Sequence, residues 1–285
     1  MGTEEIRDAV RRALDEDVGS GDATTLATVP ETATARAQMV AREFMVVCGL
    51  AFAEVAFREL STELEVQWMA RDGDRLSQGG QLLSVTGSAR AILTAERVAL
   101  NFVQRLSGIA TLTAQFAEAI KGTSASILDT RKTTPGWRRF EKYAVAAGGG
   151  QNHREGLFDM VLIKDNHLAA LQEAKPNPVM AAVRRARERY PALEVEVEAD
   201  NLDQVGQALE AGADIVLLDN MSLEQLRAAV SLNRGRCKLE ASGGVNLSTV
   251  RAIAETGVDF ISIGALTHSA RAMDIALDFD TSLIS

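Results

Sequence analysis

From Ser126 onward the chain alternates short apolar strands with amphipathic helices, and this rhythm constrains the fold more than any other feature. Apolar strands appear at SILD, DMVLIK, LEVEVEA, DIVLLDN, CKLEASGG and DFISIGAL. Helical patterns fill the later gaps at NPVMAAVRRARERY, DQVGQALEAG, SLEQLRAAVS and STVRAIAETG. The last four strands start about 22 residues apart, which is the length of one strand, one helix and two short loops in a parallel α/β structure. Such units close into a barrel or open into a doubly wound sheet. The strand ends favour the barrel: polar clusters follow almost every strand, at Asp129 to Lys132, Lys164 to His167, Glu198, Asp219 with Asn220, Ser242 to Gly244, and Ser262 to Gly264. Barrels assemble their active sites from the C-terminal ends of many strands, whereas a doubly wound sheet concentrates its site at one switch point. The barrel is expected to be irregular, because only six or seven strands are visible.

The first half reads differently. Residues 4–16 carry apolar positions at helical spacing, and GSGDATT reads as a glycine-rich turn into an extended region. The segments ARAQMVARE, LEVQWMARDGDRL and QLLSVTGSAR predict an antiparallel sheet with hairpin turns at RDGD and SQGGQ. A long helical pattern then runs from Thr94 to Ala119, and Gly108 inside it predicts a break or domain junction.

Charge narrows the class of ligand. A formal net charge of −9 argues against nucleic acid, which requires a basic face. Yet between Asp129 and Lys164 seven basic residues (Arg131, Lys132, Arg138, Arg139, Lys142, Arg154, Lys164) outnumber four acidic ones, which suits a small anionic ligand. No apolar run reaches the roughly 18 residues that a membrane span needs, and the charged start MGTEEIRDAV is unlike a signal peptide, so a cytoplasmic protein is expected. Cys48 and Cys237 lie far apart within apolar runs and read as buried free thiols.

Small residues in LEASGGVN and ISIGALTHS let backbone N–H groups approach an anion, as loops after the last barrel strands often do for phosphate. Glu198 and Asp219 end adjacent strands, where two carboxylates facing those loops suit magnesium. Glu194, Glu196, Lys238 and Glu240 read as interior ion pairs on their strands. Around the triple glycine Gly148 to Gly150, the cations Arg131, Lys132, Arg154 and Lys164 with His153 suit a multiply charged acid, because guanidinium forks match carboxylates. The three histidines, His153, His167 and His268, all fall beside strand-end clusters. Two other readings fit parts of this pattern: an aldolase-like barrel with Lys164 as a Schiff-base lysine, and a non-catalytic phosphate-ligand sensor or transport-associated protein.

Taken in order, GSGDATT, ERVALNFVQRLSGIAT, DTRKTTPGWRRFEKYAVAAGGGQNHREGLFDMVLIKDNH, EVEVEADNLDQ, DIVLLDNMS, LEASGGVN and SIGALTHSA resemble the quinolinate phosphoribosyltransferases of NAD biosynthesis over nearly the whole chain. The resemblance implies an N-terminal α/β sandwich domain (residues 1–107, joined by a C-terminal tail, 267–285) and an open, irregular α/β barrel of about seven strands (108–266). It implies a homodimer with the active site shared across the interface, and leaves further association open. Quinolinate would be bound by Arg97, reaching in from the neighbouring subunit, and by Arg131, His153, Arg154 and Lys164. Phosphoribosyl pyrophosphate and its Mg2+ would lie near Lys132, Glu198 and Asp219, these three being catalytic and the metal held directly or indirectly by the two carboxylates, and Thr130 would also bind substrate. The phosphate loops would be Ser242, Gly243, Gly244, Gly264 and Ala265. For His268 the resemblance allows a site role and a packing role equally.

Overall fold

The computed structural model describes residues 2–280; Met1 and residues 281–285, the end of the tail segment above, lie outside the described residues. The chain divides into two compact units. The first takes the residues up to Ala114, Arg139–Gly149 and the segment from Ser269; the second takes Gln115–Arg138 and Gly150–His268.

The first unit begins with α1 (Thr3–Val18) and α2 (Ala23–Thr28), then β1 (Thr34–Ala41), β2 (Met45–Val46), α3 (Leu50–Leu60), β3 (Glu65–Trp68), β4 (Arg75–Leu76), β5 (Gln81–Ser88) and α4 (Ala89–Ala119). Together with the last strand, β12 (Ile275–Phe279), they form an antiparallel sheet in the order β12-β1-β5-β3 and a separate pair β2-β4. GSGDATT holds a short helix where a turn into a strand is expected: the Asp22 side chain accepts the Thr25 N–H at 2.9 Å and caps α2. The hairpin expectations also fail. β3 pairs with β5 and β4 with β2, because the Leu82 carbonyl takes both the Met69 and Ala70 N–H groups and ends the β3–β5 pairing. Asp72, in the RDGD segment, accepts the Gly49 and Leu50 N–H groups at 3.0 and 3.2 Å and the Tyr143 hydroxyl at 2.8 Å, so it serves the start of α3. The core contains Met39, Phe57, Leu82, Leu83 and Ile92, and Phe52 stacks on Phe102 at 4.8 Å and meets Phe140 edge-on at 5.0 Å.

No break occurs at Gly108. Helix α4 runs through it, and a Cβ built there would lie 1.8 Å from the Arg271 carbonyl oxygen. The glycine therefore admits a returning backbone; it does not interrupt the helix.

The second unit carries β6 (Ser126–Leu128), β7 (Val161–Ile163), α6 (Asp165–Ala169), α7 (Pro178–Arg189), β8 (Val195–Ala199), α8 (Leu202–Glu210), β9 (Ile215–Asp219), α9 (Leu223–Asn233), β10 (Lys238–Ser242), α10 (Val250–Ala254), β11 (Phe260–Ser262) and α11 (Ala265–His268). The intervening α5 (Arg138–Ala147) belongs, apart from Arg138, to the first unit. The parallel strands follow the order β6-β11-β10-β9-β8-β7. The first strand thus lies beside the last, as in a barrel, and the cylinder stays open between β6 and β7. Six strands form the sheet, and Gln151 adds a single parallel bridge to Leu128. Helix starts follow local chemistry: Asn177, Asn201 and Ser222 accept the N–H groups of Met180, Gln204 and Gln225 and cap α7, α8 and α9. Asn201 and Ser222, just beyond β8 and β9, thus begin the next helix while those strand ends stay free for a site.

Candidate active site

A cavity of about 590 Å³ opens at the C-terminal ends of the parallel strands. Its lining includes Leu162 and Lys164, Leu217 and Asp219, and Glu240 and Ser242. These are pairs two residues apart, as the alternation of a strand requires for one inward face. Register places Ser242 beside Asp219 and Glu198 beside Leu217, so Asp219 and Glu198 come from neighbouring strands.

Four cations line this cavity: Arg131, Lys132, Arg154 and Lys164. The Lys164 ammonium is paired with Glu198. Arg131 Nε is buried with no hydrogen-bond acceptor among the described residues, an arrangement that costs free energy until an anion arrives. Arg154 donates to the Met160 carbonyl at 3.3 Å. Burial, and then the charge of Arg131, lower its pKa from the usual guanidinium value, against Glu196 and Asp159. The loop that carries it is folded around Asp159, whose carboxylate accepts the Glu155 and Gly156 N–H groups at 2.7 and 2.9 Å.

Beneath the cations lies a buried acid cluster. The His153 backbone N–H donates to the buried Asp129 at 2.9 Å, and His153 Nδ1 accepts the Arg154 N–H at 2.7 Å, which leaves the ring proton on Nε2. That nitrogen lies 3.1 Å from Glu196 Oε2 and 3.5 Å from Glu240 Oε2. Burial first, and the charge of Glu196 second, push the Glu240 carboxyl well above the ordinary carboxylate range.

Also in the lining, Gly243 (φ 96°) and Gly244 (φ 61°) adopt left-handed backbone. A Cβ on Gly243 would come 2.1 Å from Asn220 Oδ1, so only glycine fits. The N–H groups of Gly243, Gly244, Gly264 and Ala265 reach no acceptor among the described residues. Such groups are suited to phosphate oxygens.

Of the residues expected from sequence, Thr130, Arg131, Lys132, His153, Arg154, Lys164, Glu198, Asp219, Ser242, Gly243 and Gly244 all line the cavity. Gly264 lies just behind: a Cβ there would meet the Lys132 chain at 2.9 Å and His268 Nε2 at 3.1 Å. Ala265 begins α11, and neither Ala265 nor the exposed His268 lines the cavity. Arg97 is an exposed residue of α4 in the first unit and is not in the lining either.

Other expectations need correction. Gly148, of the triple glycine among the cations, is in the first unit and packs on α4, where a side chain would strike the Ala110 carbonyl at 2.4 Å. Arg138 donates to Thr133 and to the Glu155 carbonyl, Arg139 pairs with Glu5, and Lys142 is buried in the first unit. His167 Nδ1 accepts the Lys164 N–H at 2.9 Å, a local capping role. Lys238 pairs with Asp259 in an exposed contact rather than an interior one. Cys48 is buried and free as expected, but Cys237 is only half-buried. Asn220 and Ser262, which sequence reasoning placed in the strand-end clusters without a role of their own, also line the cavity, and so does Glu240, which it left as an ion-pair partner. Asn220 carried a signal, since asparagine is among the few residues that tolerate its positive φ of 52°.

Residues 22–107 match the family described as "Quinolinate phosphoribosyl transferase, N-terminal domain", and residues 109–278 match its C-terminal domain. The chain is 45% identical to the "Nicotinate-nucleotide pyrophosphorylase [carboxylating]" of Mycobacterium leprae, covering 95% of this chain and 96% of that protein. It is 43% identical to the chloroplastic protein of the same name from Arabidopsis thaliana, over 99% of this chain and 84% of that one. Among solved structures, the nicotinate-nucleotide pyrophosphorylase from Francisella tularensis superposes with a TM-score of 0.92 at 41% identity, covering 98% of each chain.

Proposed function

The chain belongs to the quinolinate phosphoribosyltransferase family, and from that membership we propose how its cavity performs the family's reaction. The protein is an enzyme of NAD biosynthesis that transfers the phosphoribosyl group of phosphoribosyl pyrophosphate to quinolinate with decarboxylation. The products are nicotinate mononucleotide, pyrophosphate and carbon dioxide.

One observation carries the assignment of roles: four cations and the carboxylates of Glu198 and Asp219 converge in one cavity whose lining also holds Gly243 and Gly244, with N–H groups that reach no acceptor among the described residues. Arg131, Arg154 and Lys164, with His153, bind the two carboxylates of quinolinate and turn its ring nitrogen toward the anomeric carbon of the ribose. Ser242, Gly243, Gly244, Gly264 and Ala265 hold phosphate oxygens. The ring nitrogen forms a bond to the anomeric carbon as the bond from that carbon to the pyrophosphate oxygen breaks. Glu198 and Asp219 stabilise the positive charge that develops on the ribose, and Lys132, beside Thr130, stabilises the negative charge that builds on the departing pyrophosphate. The ring nitrogen is then cationic, so the electron pair left by the adjacent carboxylate is stabilised as carbon dioxide departs.

Glu198 and Asp219 also fit a magnesium ion. They come from neighbouring strands, open into the cavity, and use one oxygen each on Lys164 and Asn220, which leaves the other for a hard cation. Bound there, magnesium supplies charge neutralisation for the pyrophosphate.

The reading extends to a homodimer in which the exposed Arg97 of one protomer serves the partner's cavity, and to a cytoplasmic location. No described helix is long and apolar enough to cross a membrane. Size-exclusion chromatography with light scattering tests the dimer, and cell fractionation tests the location.

The activity is tested by incubating the protein with quinolinate, phosphoribosyl pyrophosphate and magnesium while following nicotinate mononucleotide and carbon dioxide, with nicotinate as the parallel substrate. Product from quinolinate alone supports the assignment; product from nicotinate alone, or none, refutes it.

A further inference from the structure

Carbon dioxide leaving C2 of the pyridinium ring leaves an electron pair on that carbon, and nicotinate mononucleotide carries hydrogen there. One proton must therefore reach C2. The arginines of the cavity do not release protons near neutral pH, the Lys164 ammonium is paired with Glu198, and Lys132 is the cation assigned above to the departing pyrophosphate. The floor of the cavity offers another source. Glu240 lines it yet is only 1% exposed, and Glu196 beside it is fully buried. All four of their carboxylate oxygens are buried without a well-formed hydrogen bond, and His153 Nε2 stands 3.1 and 3.5 Å from the pair. Glu196 also feels the charge of Arg154, yet two full negative charges side by side at this depth still repel one another, so the cluster retains a proton. The groups facing Glu240 are Glu196 from β8, His153 from the loop after α5 and Ser262 from β11. Burial and Glu196 favour the protonated carboxyl, while His153 and Ser262 oppose it. Of the two acids only Glu240 lines the cavity.

We propose that Glu240 is the general acid of the decarboxylation and delivers the proton to C2 of the ring. The inference rests on the reaction assigned above to this cavity. The bond between C2 and the carboxylate carbon breaks, its electron pair stays on C2, carbon dioxide leaves, and that pair takes the proton of Glu240. The glutamate, now a carboxylate beside the His153 Nε2–H, regains a proton from water when the product departs.

The test is Glu240→Gln, an amide with the shape and neutrality of the protonated acid but no proton to give. General-acid catalysis contributes typically about 10²–10⁴-fold. The expected result is a kcat for nicotinate mononucleotide lower by about 10²-fold or more, with KM for quinolinate within a few-fold of wild type. Wild-type kcat falls on the basic side of its pH profile, and E240Q loses that limb. In a single turnover, E240Q releases pyrophosphate ahead of nicotinate mononucleotide, which a merely structural role does not produce. Wild-type kcat with an unchanged basic limb in E240Q overturns the proposal. If circular dichroism shows E240Q unfolded, the wild-type profile decides: no basic limb in kcat also overturns it. A wild-type protein that makes no product from quinolinate refutes the reaction itself, a failure distinct from that of the acid.

Discussion

Glycine-to-alanine substitutions in two helices are expected to have opposite signs. In a helix interior the change is ordinarily favourable by about 0.8–1.0 kcal/mol. At Gly108 in α4 the new Cβ would lie 1.8 Å from the Arg271 carbonyl oxygen, a backbone atom that cannot swing aside. The segment that must move is fastened by Arg105 donating to the Ala270 carbonyl at 2.6 Å, Met273 N–H to the Gln104 carbonyl at 3.0 Å, and the Gln104 amide to the Ile275 carbonyl at 2.9 Å. At roughly 1 kcal/mol net for each such bond, their loss outweighs the propensity gain and leaves Gly108→Ala destabilised by about 2 kcal/mol. Gly206 in α8 has nothing within 4 Å of its Cβ position, so Gly206→Ala retains the full gain. Thermal unfolding separates the two: about 1 kcal/mol moves Tm by roughly 2–4 °C at domain sizes of 150–250 residues. G108A is expected to melt about 4 °C or more below wild type, and G206A a few degrees above. A G108A protein melting at or above the wild-type temperature would falsify the close-approach argument.

Arg154→Ala removes a charged hydrogen-bonding partner worth about 1.5–3 kcal/mol, so the KM for quinolinate should rise on the order of 10- to 100-fold with the melting temperature little changed. Steady-state kinetics check this, and wild-type KM in the variant would refute the carboxylate-binding role. Glu43 is bound by Arg271, which with the Asp274 N–H holds its carboxyl down at about 2 in the folded protein, from an ordinary 4.5. A depressed folded value stabilises above the unfolded value, so the contribution is complete above about pH 4.5 and disappears as pH falls toward 2. Glu43→Gln should therefore narrow its stability deficit against wild type across that acid window in melts run from pH 6 to 2. A constant deficit would contradict the assignment. Burial raises the Cys48 thiol well above its ordinary value and the Cys237 thiol to about 11, so thiol titration at pH 8 should be slow for both until denaturant is added. Prompt modification of the native protein would count against the buried setting of Cys48.

The alternating strands and helices after Ser126 were legible because each obeys a local period, and the polar residues after β6 to β10 were legible because a barrel presents strand ends on one rim. That is why most residues that line the cavity are legible in the sequence. The first half was harder to read. β3 and β4 follow one another in sequence, yet each pairs with a distant strand, and the choice was made by Leu82 and Asp72, whose contacts are not local. Basic residues posed the same difficulty: Arg131 and Arg139 lie in one charged stretch, but one lines the cavity and the other pairs with Glu5.

The sequence by itself determined the parallel α/β second half, the strand-end chemistry and, through ordered motifs spread over nearly the whole chain, the family. Tertiary structure alone decided that Gly108 and Gly148 admit neighbouring backbone, and that Glu196, Glu240 and His153 form one buried acid cluster. The division has a physical reason. Periodicity and capping depend on residues a few positions apart, whereas close backbone approach and the burial of charge depend on segments that meet only when the chain has folded.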